Sequence, residues 1–200
     1  AVRAQVLNNI SVDKTSAGDR DGALKAAREA VAIYRRLAEA NPAAYEPDFA
    51  MSVNNLASSL SETGDRDSAL MAAQEAVAIR RRLAEANPAA YEPNLATSVN
   101  NLANFLSATG DRDGALRAVH EAVAIRRRLA EAKPAAYEPN LARSLYVFAK
   151  VLRTGGQTVA AREVAAEAVT RLTPLAARWP EAFGGLLSAA QALLAEIDVA

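Results

Sequence analysis

Residues 55–79 read NLASSLSETGDRDSALMAAQEAVAI, and the stretch spells two helices with a turn between them. Val53, Leu56, Ala57 and Leu60 fall at i, i+3, i+4 and i+7, the spacing of one helical face. Thr63-Gly64 closes this helix, because Gly takes the left-handed conformation of a helix stop. Asp65 and Asp67 then lie in or before the first turn of a second helix, where a carboxylate meets the positive end of the dipole. The stripe of that helix is Ala69, Ala73, Ala76 and Leu83, with Leu70, Val77 and Ile79 beside it. Small residues at 69, 73 and 76 let a neighbouring helix approach closely.

The same text recurs on both sides. Gly18, Gly64, Gly110 and Gly156 stand 46 residues apart, as do Pro42, Pro88, Pro134 and Pro180, and Tyr45, Tyr91, Tyr137 and Phe183. Val99, Leu102, Ala103 and Leu106 repeat the first stripe, and so do Leu145, Phe148, Ala149 and Leu152. A fixed period of this size is the mark of a solenoid, whose units bury their stripes only by stacking. Asp48, Asn94 and Asn140 each follow a Pro and are expected to cap the first helix of a unit. PAAYEP then reads as a linker, the first helix has about four turns and the second about six. The recurring aromatics are expected to plug the gap between successive long helices. The repeats run 1–46, 47–92, 93–138 and 139–184 in a single array over 1–200, with a terminal helix near 181–199. In the fourth unit Thr154-Gly155-Gly156-Gln157 replaces the Gly-Asp-Arg-Asp turn, while Ala161, Ala165 and Ala168 keep the small positions. The last segment, EAFGGLLSAAQALLAEIDVA, aligns with a first helix and lacks a second, as a cap would.

Composition narrows the function. The 23 basic and 23 acidic residues cancel, so there is no global electrostatic case for nucleic acid. The absence of cysteine excludes disulfides and thiolate metal sites, which fits a cytoplasmic protein. No uninterrupted apolar run approaches the roughly 18 residues of a membrane span, so no membrane partner is expected. The start AVRAQVLNN has neither an initiator Met nor the charged-then-apolar order of a signal peptide. Val2 aligns with Asp48, so the chain reads as a segment of a longer protein beginning at a repeat boundary.

Leu56-Ala57, Leu60, Gly64, Ala69, Ala73 and Ala76 carry the large-small, turn-glycine and small-residue pattern that resembles a tetratricopeptide repeat. The longer period and the Asn-Asn-Leu-Ala strings at 54–57 and 100–103, with a looser copy at Asn8-Asn9-Ile10-Ser11, are similar to kinesin-light-chain-type repeats and their long-period bacterial relatives. The resemblance covers nearly the whole chain. It implies an all-α, right-handed alpha-alpha superhelix (a TPR solenoid) of about four helical hairpins plus a C-terminal capping helix. It also implies a concave groove lined by first helices, and a protein or peptide partner held there without cofactor or catalysis.

On that groove face the candidates are Asn9, Asn55 and Asn101, flanked by Asn8, Asn54 and Asn100. An Asn amide offers one acceptor and two donors, enough for both polar groups of an extended backbone. Two roles fit these amides: a ladder for a peptide, or bonds between neighbouring helices that stiffen the stack. The two middle repeats agree at roughly three quarters of positions, and several differences fall on the same face: Met51/Thr97, Ser58/Asn104 and Glu62/Ala108. In the fourth unit Tyr146 and Val147 replace the Asn pair. Arg143, Lys150 and Arg153 lie at i, i+7 and i+10, making a basic end that would favour an acidic side chain or C-terminus. The Lys of carboxylate-clamp arrays is unmatched, so that clamp is not carried over.

The runs Arg35-Arg36, Arg80–Arg82 and Arg126–Arg128 belong to second helices and are expected on a solvated convex face, pairing with Glu39, Glu85 and Glu131 at i+4. His120, the single histidine, aligns with Gln74 and Arg28 and reads as a surface residue with no second ligand to share a metal. No nucleophile, base and orienting group stand at a credible spacing, so no enzyme is expected. Self-assembly is a further reading, with Lys14 at the register of Leu60 and Leu106 arguing against end-to-end stacking. A regulatory arm of a multidomain signalling NTPase or protease, with flanking domains as partners, is another.

Overall fold

The computed structural model describes residues 1–199. Among the described residues nine helices follow one another with no strand: α1 (Val2–Ser16), α2 (Arg20–Ala40), α3 (Pro42–Glu62), α4 (Arg66–Ala86), α5 (Pro88–Thr109), α6 (Arg112–Ala132), α7 (Pro134–Thr154), α8 (Thr158–Arg178) and α9 (Pro180–Val199). The chain divides into two compact units, Ala1–Thr109 and Gly110 onward. In the first, each helix packs on the next from α1 to α5, and α1 also touches α3. In the second, α6 to α9 do the same, and α7 also touches α9. The fold is all-α, a succession of helical hairpins followed by α9, which packs on α8.

The PAAYEP segment is not a linker. Only Asn41 separates α2 from α3, and the Pro-Ala-Ala-Tyr-Glu-Pro residues form the opening turns of α3, α5 and α7. Asp48, Asn94 and Asn140 therefore lie inside helices, and the caps are one turn or more upstream. The Asn41 side chain accepts from Ala44 N–H and that of Asn87 from Ala90 N–H, each at 3.3 Å. Pro42 follows the cap directly, where its missing N–H costs nothing and its fixed φ suits a helix. Pro47 sits deeper and removes one bond to the carbonyl of Ala43. Ala43 is exposed, so water can satisfy that oxygen and the helix runs on. First and second helices are consequently equal, 21 residues in both α3 and α4, rather than four turns and six.

The turns between helices follow the expected chemistry. Gly64 has φ +88°, with its N–H on Ser61 O and the Asp65 N–H on Leu60 O, both at 3.0 Å, a Schellman closure. The Thr63 hydroxyl donates to the same Leu60 O at 2.9 Å, occupying its second lone pair. Asp19, Asp65 and Asp111 cap α2, α4 and α6 by accepting from Gly22, Ser68 and Gly114 N–H. Lys14 holds the Asp19 carboxylate, and this contact first, then the Gly22 N–H, lowers the Asp19 pKa.

Alanine makes the core thin. Ala27, Ala30, Ala50, Ala57, Ala69 and Ala76 are fully inaccessible. Bulk comes from Tyr34, Phe49, Val53 and Leu60, with Tyr45 packed against them. In the second unit Leu172, Leu175 and Phe183 gather around Ala142 and Ala190. One expectation about apolar runs needs correction: α9, at 20 residues, is long and apolar enough to cross a membrane by length and composition alone. No charge interrupts it between Glu181 and Glu196. It also packs on α8, burying Phe183, Ala190, Leu193 and Ile197, so the same apolar content serves a core.

Candidate functional site

In the first unit α1, α3 and α5 lie side by side as a layer, and the Asn pairs divide between its interior and its face. Asn8 is buried and donates to Ser52 Oγ at 2.7 Å, while its Oδ1 is buried without a hydrogen-bond partner. Asn54 Oδ1 accepts from Ser98 Oγ at 3.0 Å and from Asn101 Nδ2 at 3.3 Å. Asn8, Asn54 and Asn101 thus bond between neighbouring first helices, and Asn100 is buried too. Asn9 and Asn104 are exposed, Asn55 is half-buried, and these three side chains make no hydrogen bond within the described residues. Between α1 and α3 lies a cleft of about 230 Å³ lined by Ser11, Thr15, Asn55, Ser58 and Ser59, with Val12 at its edge. The Thr15 and Ser58 hydroxyls donate to Ser11 O and Asn54 O, so they turn lone pairs toward the cleft. Its polar floor arises where Ser59 stands at the register of Phe105, a side chain large enough to fill such a gap.

Arg35, Arg36, Arg81, Arg82, Arg127 and Arg128 are exposed as expected, but the first member of each triple departs from the solvated face. Arg80 and Arg126 are 7% and 6% exposed. The Arg80 Nη1 donates to Asn94 O at 2.8 Å and Ser98 Oγ at 2.6 Å, tying α4 to α5. Arg126 donates in the same way to Asn140 O and Ser144 Oγ, tying α6 to α7. Burial lowers both guanidinium pKa values to about 10, and for Arg126 the charge of Arg143 adds to it. The register held the signal: Tyr34, Arg80, Arg126 and Leu172 stand 46 residues apart, so apolar residues hold the position in the first and fourth units. Ser52, Ser98 and Ser144 recur in step with them. The expected i+4 pairs are also replaced. Arg35 reaches Glu75 on the next second helix at 3.0 Å, and Arg127 reaches Glu167 at 2.6 Å. An acid placed C-terminal to the base is the weaker helical order, and the neighbouring helix offers a nearer carboxylate.

In the second unit the basic residues of α7 meet α9. Arg153 pairs with Glu196, and the Arg143 guanidinium lies over the Phe183 ring at 5.6 Å. The Lys150 ammonium is over the half-buried Tyr146 ring at 5.7 Å. His120 is exposed and sets its ring edge against Phe148 with centroids 4.5 Å apart. Among the described residues no group of three or more His, Cys, Asp or Glu is arranged to hold a metal.

Repeated hairpins and polar amides on the face of the first helices define a helical-repeat scaffold. A tetratricopeptide-repeat family model matches residues 3–43, 49–89 and 95–133, and the chain belongs to that family. The fold is similar to that of a Podosopora anserina protein described as a kinesin light chain with nearly identical TPR-like repeats. That pair has a TM-score of 0.69 and 20% identity, over 98% of this chain and 94% of the other. It is also similar to aspartyl phosphate phosphatase F from Bacillus subtilis, with a TM-score of 0.68 and 14% identity, over 86% of this chain and 40% of that one. No curated protein matches the sequence. Tetratricopeptide repeats form a non-catalytic scaffold fold that commonly mediates protein–protein interactions.

Proposed function

We propose that the protein is a non-catalytic, cytoplasmic scaffold whose first unit holds an extended segment of a partner protein on the face of α1, α3 and α5. The observation that carries this is the cleft between α1 and α3. It presents hydroxyl lone pairs and the uncommitted Asn55 amide, which suit the N–H donors of an extended backbone. Asn9 and Asn104 continue the polar face. Asn101 and Asn54 serve mainly by holding α3 to α5, and the backbone-binding role passes to the amides with no internal partner. On the second unit, the α7 face with Arg143, Tyr146 and Lys150 favours an acidic residue, Arg153 being engaged by Glu196, and that contribution fades with salt.

The test uses a photo-crosslinking residue at Asn104, on the proposed face, or at Met71, an exposed position on α4. Position 104 should capture a host protein that position 71 does not. Replacing Asn9 and Asn55 by Ala should weaken capture by roughly ten- to a hundred-fold, at about 0.5–1.5 kcal/mol per lost amide bond. Capture through Met71 alone, or indifference to both replacements in a folded protein, would refute the assignment.

A further inference from the structure

A second cleft, of about 320 Å³, opens in the second unit between the start of α7 and the end of α8. Pro134, Pro139, Pro174, Leu175 and Trp179 line it, with Arg178 at the rim and Glu138, its charge held by Arg171, at the far wall. The corresponding place in the second hairpin is bridged by an ion pair. There Arg82, at the register of Pro174, reaches Glu46, at the register of Glu138, with N and O 2.9 Å apart. In the fourth unit Pro174 has no charge to offer, and Glu138 turns instead to Arg171, which stands at the register of the buried Ile79. The ion pair has moved about one turn along α8, and the volume it would have filled is empty.

The residues around the vacated space have changed together. Trp179 takes the register of Asn87 and is 43% exposed, unusually open for the one tryptophan in the chain. Arg178 takes the register of Ala86. Its guanidinium lies over the Trp179 ring, 4.5 Å from the centroid, and makes no ion pair within the described residues. Glu181, nearby on α9, does not bond it, and Glu138 is engaged by Arg171. The cleft is therefore a mostly apolar hollow in which the Glu138 charge is balanced by Arg171 and the Arg178 charge is not balanced. Its volume is at the low end for a ligand pocket, which suits one side chain rather than a whole cofactor.

We propose that this cleft is a docking site for an acidic segment of a partner protein, seating one apolar side chain between Pro174 and Trp179 and setting a carboxylate against Arg178. The charge complementarity selects an acidic over a basic segment, and the guanidinium, already positioned by the indole, loses little freedom on pairing. The site lies in the second unit and stands independently of the polar face of α1, α3 and α5.

Trp179 supplies the readout, because no other tryptophan contributes to the emission. The full chain is titrated with the peptide Ac-Glu-Pro-Leu-Glu-NH2 and, separately, with Ac-Lys-Pro-Leu-Lys-NH2. The acidic peptide should shift the emission saturably in the millimolar range, and the basic one should bind at least about tenfold more weakly. Pro174→Arg, which restores the partner that Glu46 has in the second hairpin, should close the cleft and weaken the acidic peptide about tenfold or more. Arg178→Glu, at an exposed position with helicity checked by circular dichroism, should do the same and invert the salt dependence, since salt then screens a repulsion. No saturable shift with the acidic peptide, an equal response to the basic one, or binding that survives both variants would overturn the proposal.

Discussion

Replacing Arg80 by Leu separates what the buried guanidinium does electrically from the space it fills. Leu172 holds the same register in the fourth unit and is fully buried, so a leucine suits this position. The change leaves Ser98 Oγ its bond to Asn54 and removes the desolvation cost that lowers the Arg80 pKa to about 10. Arg80→Leu alone should therefore alter stability by no more than about 1 kcal/mol in either direction. Ser98→Ala alone is different. It strips a hydrogen bond from a buried cation and a second from Asn54, and should cost about 2–3 kcal/mol. In the Arg80→Leu background the same replacement loses only the Asn54 bond, at about 1 kcal/mol. The double-mutant cycle should thus return a coupling of about 1–2 kcal/mol. Urea unfolding followed by circular dichroism supplies the global values. Hydrogen exchange of α4 and α5 amides supplies local ones, since repeat arrays need not unfold in one step. Additivity within about 0.5 kcal/mol would refute the reasoning and make Arg80 a residue merely tolerated inside.

Other consequences are open to direct measurement. Gly64→Ala places a Cβ in a left-handed conformation and should cost about 1–2 kcal/mol by urea unfolding, with no loss of contacts to explain it. Asp65→Ala removes the α4 cap and should cost about 1 kcal/mol, seen as faster exchange in the first turn of α4. Burial first, then the negative charge at Asp48, raises the Tyr34 pKa above its ordinary value of 10. The unfolded chain releases that proton before the folded one, so stability should fall as pH rises past 10. Tyrosinate absorbance should show a component appearing above pH 10 that is missing from Tyr34→Phe. Leu145→Ala, at a fully buried position in α7, should cost about 2–5 kcal/mol by the same unfolding assay.

The helices were legible because the apolar stripes repeat at helical spacing and the turn glycines fix their phase. The PAAYEP segment was not, because a proline in the second turn looks like a boundary. Whether it is one depends on whether the Ala43 carbonyl can reach water, which is a property of packing. Asn8 and Asn9 look equivalent in sequence, yet a turn of about 100° per residue sends one between helices and leaves the other outside. The arginine runs hid their interior member for a similar reason: three identical letters differ only in register, and reading 34, 80, 126 and 172 together distinguishes the first of them. The cleft at Trp179 was the least accessible, since it arises from an ion pair displaced along α8 rather than from a motif.

The buried series beginning at Tyr34 also bears on how such a chain avoids assembling in the wrong order. The first and second units share the text from Gly18-Asp19-Arg20-Asp21 to Pro42-Ala43-Ala44-Tyr45-Glu46 almost unchanged and so invite a slip by one whole repeat during folding, the characteristic error of repeat proteins. Here the junctions differ in hydrogen-bond direction. Ser52 accepts from Asn8 and donates to Asp48 O, whereas Ser98 accepts from Arg80 and donates to Asn54. A slipped α4 would bring a guanidinium to Ser52, where Asn8 already occupies one of two lone pairs, and leave Ser98 facing the phenol of Tyr34. Each mismatch strands a buried donor or acceptor at about 1–3 kcal/mol, more for the charge. Polarity at one concealed position thereby proofreads the sequence in which nearly interchangeable parts are laid down.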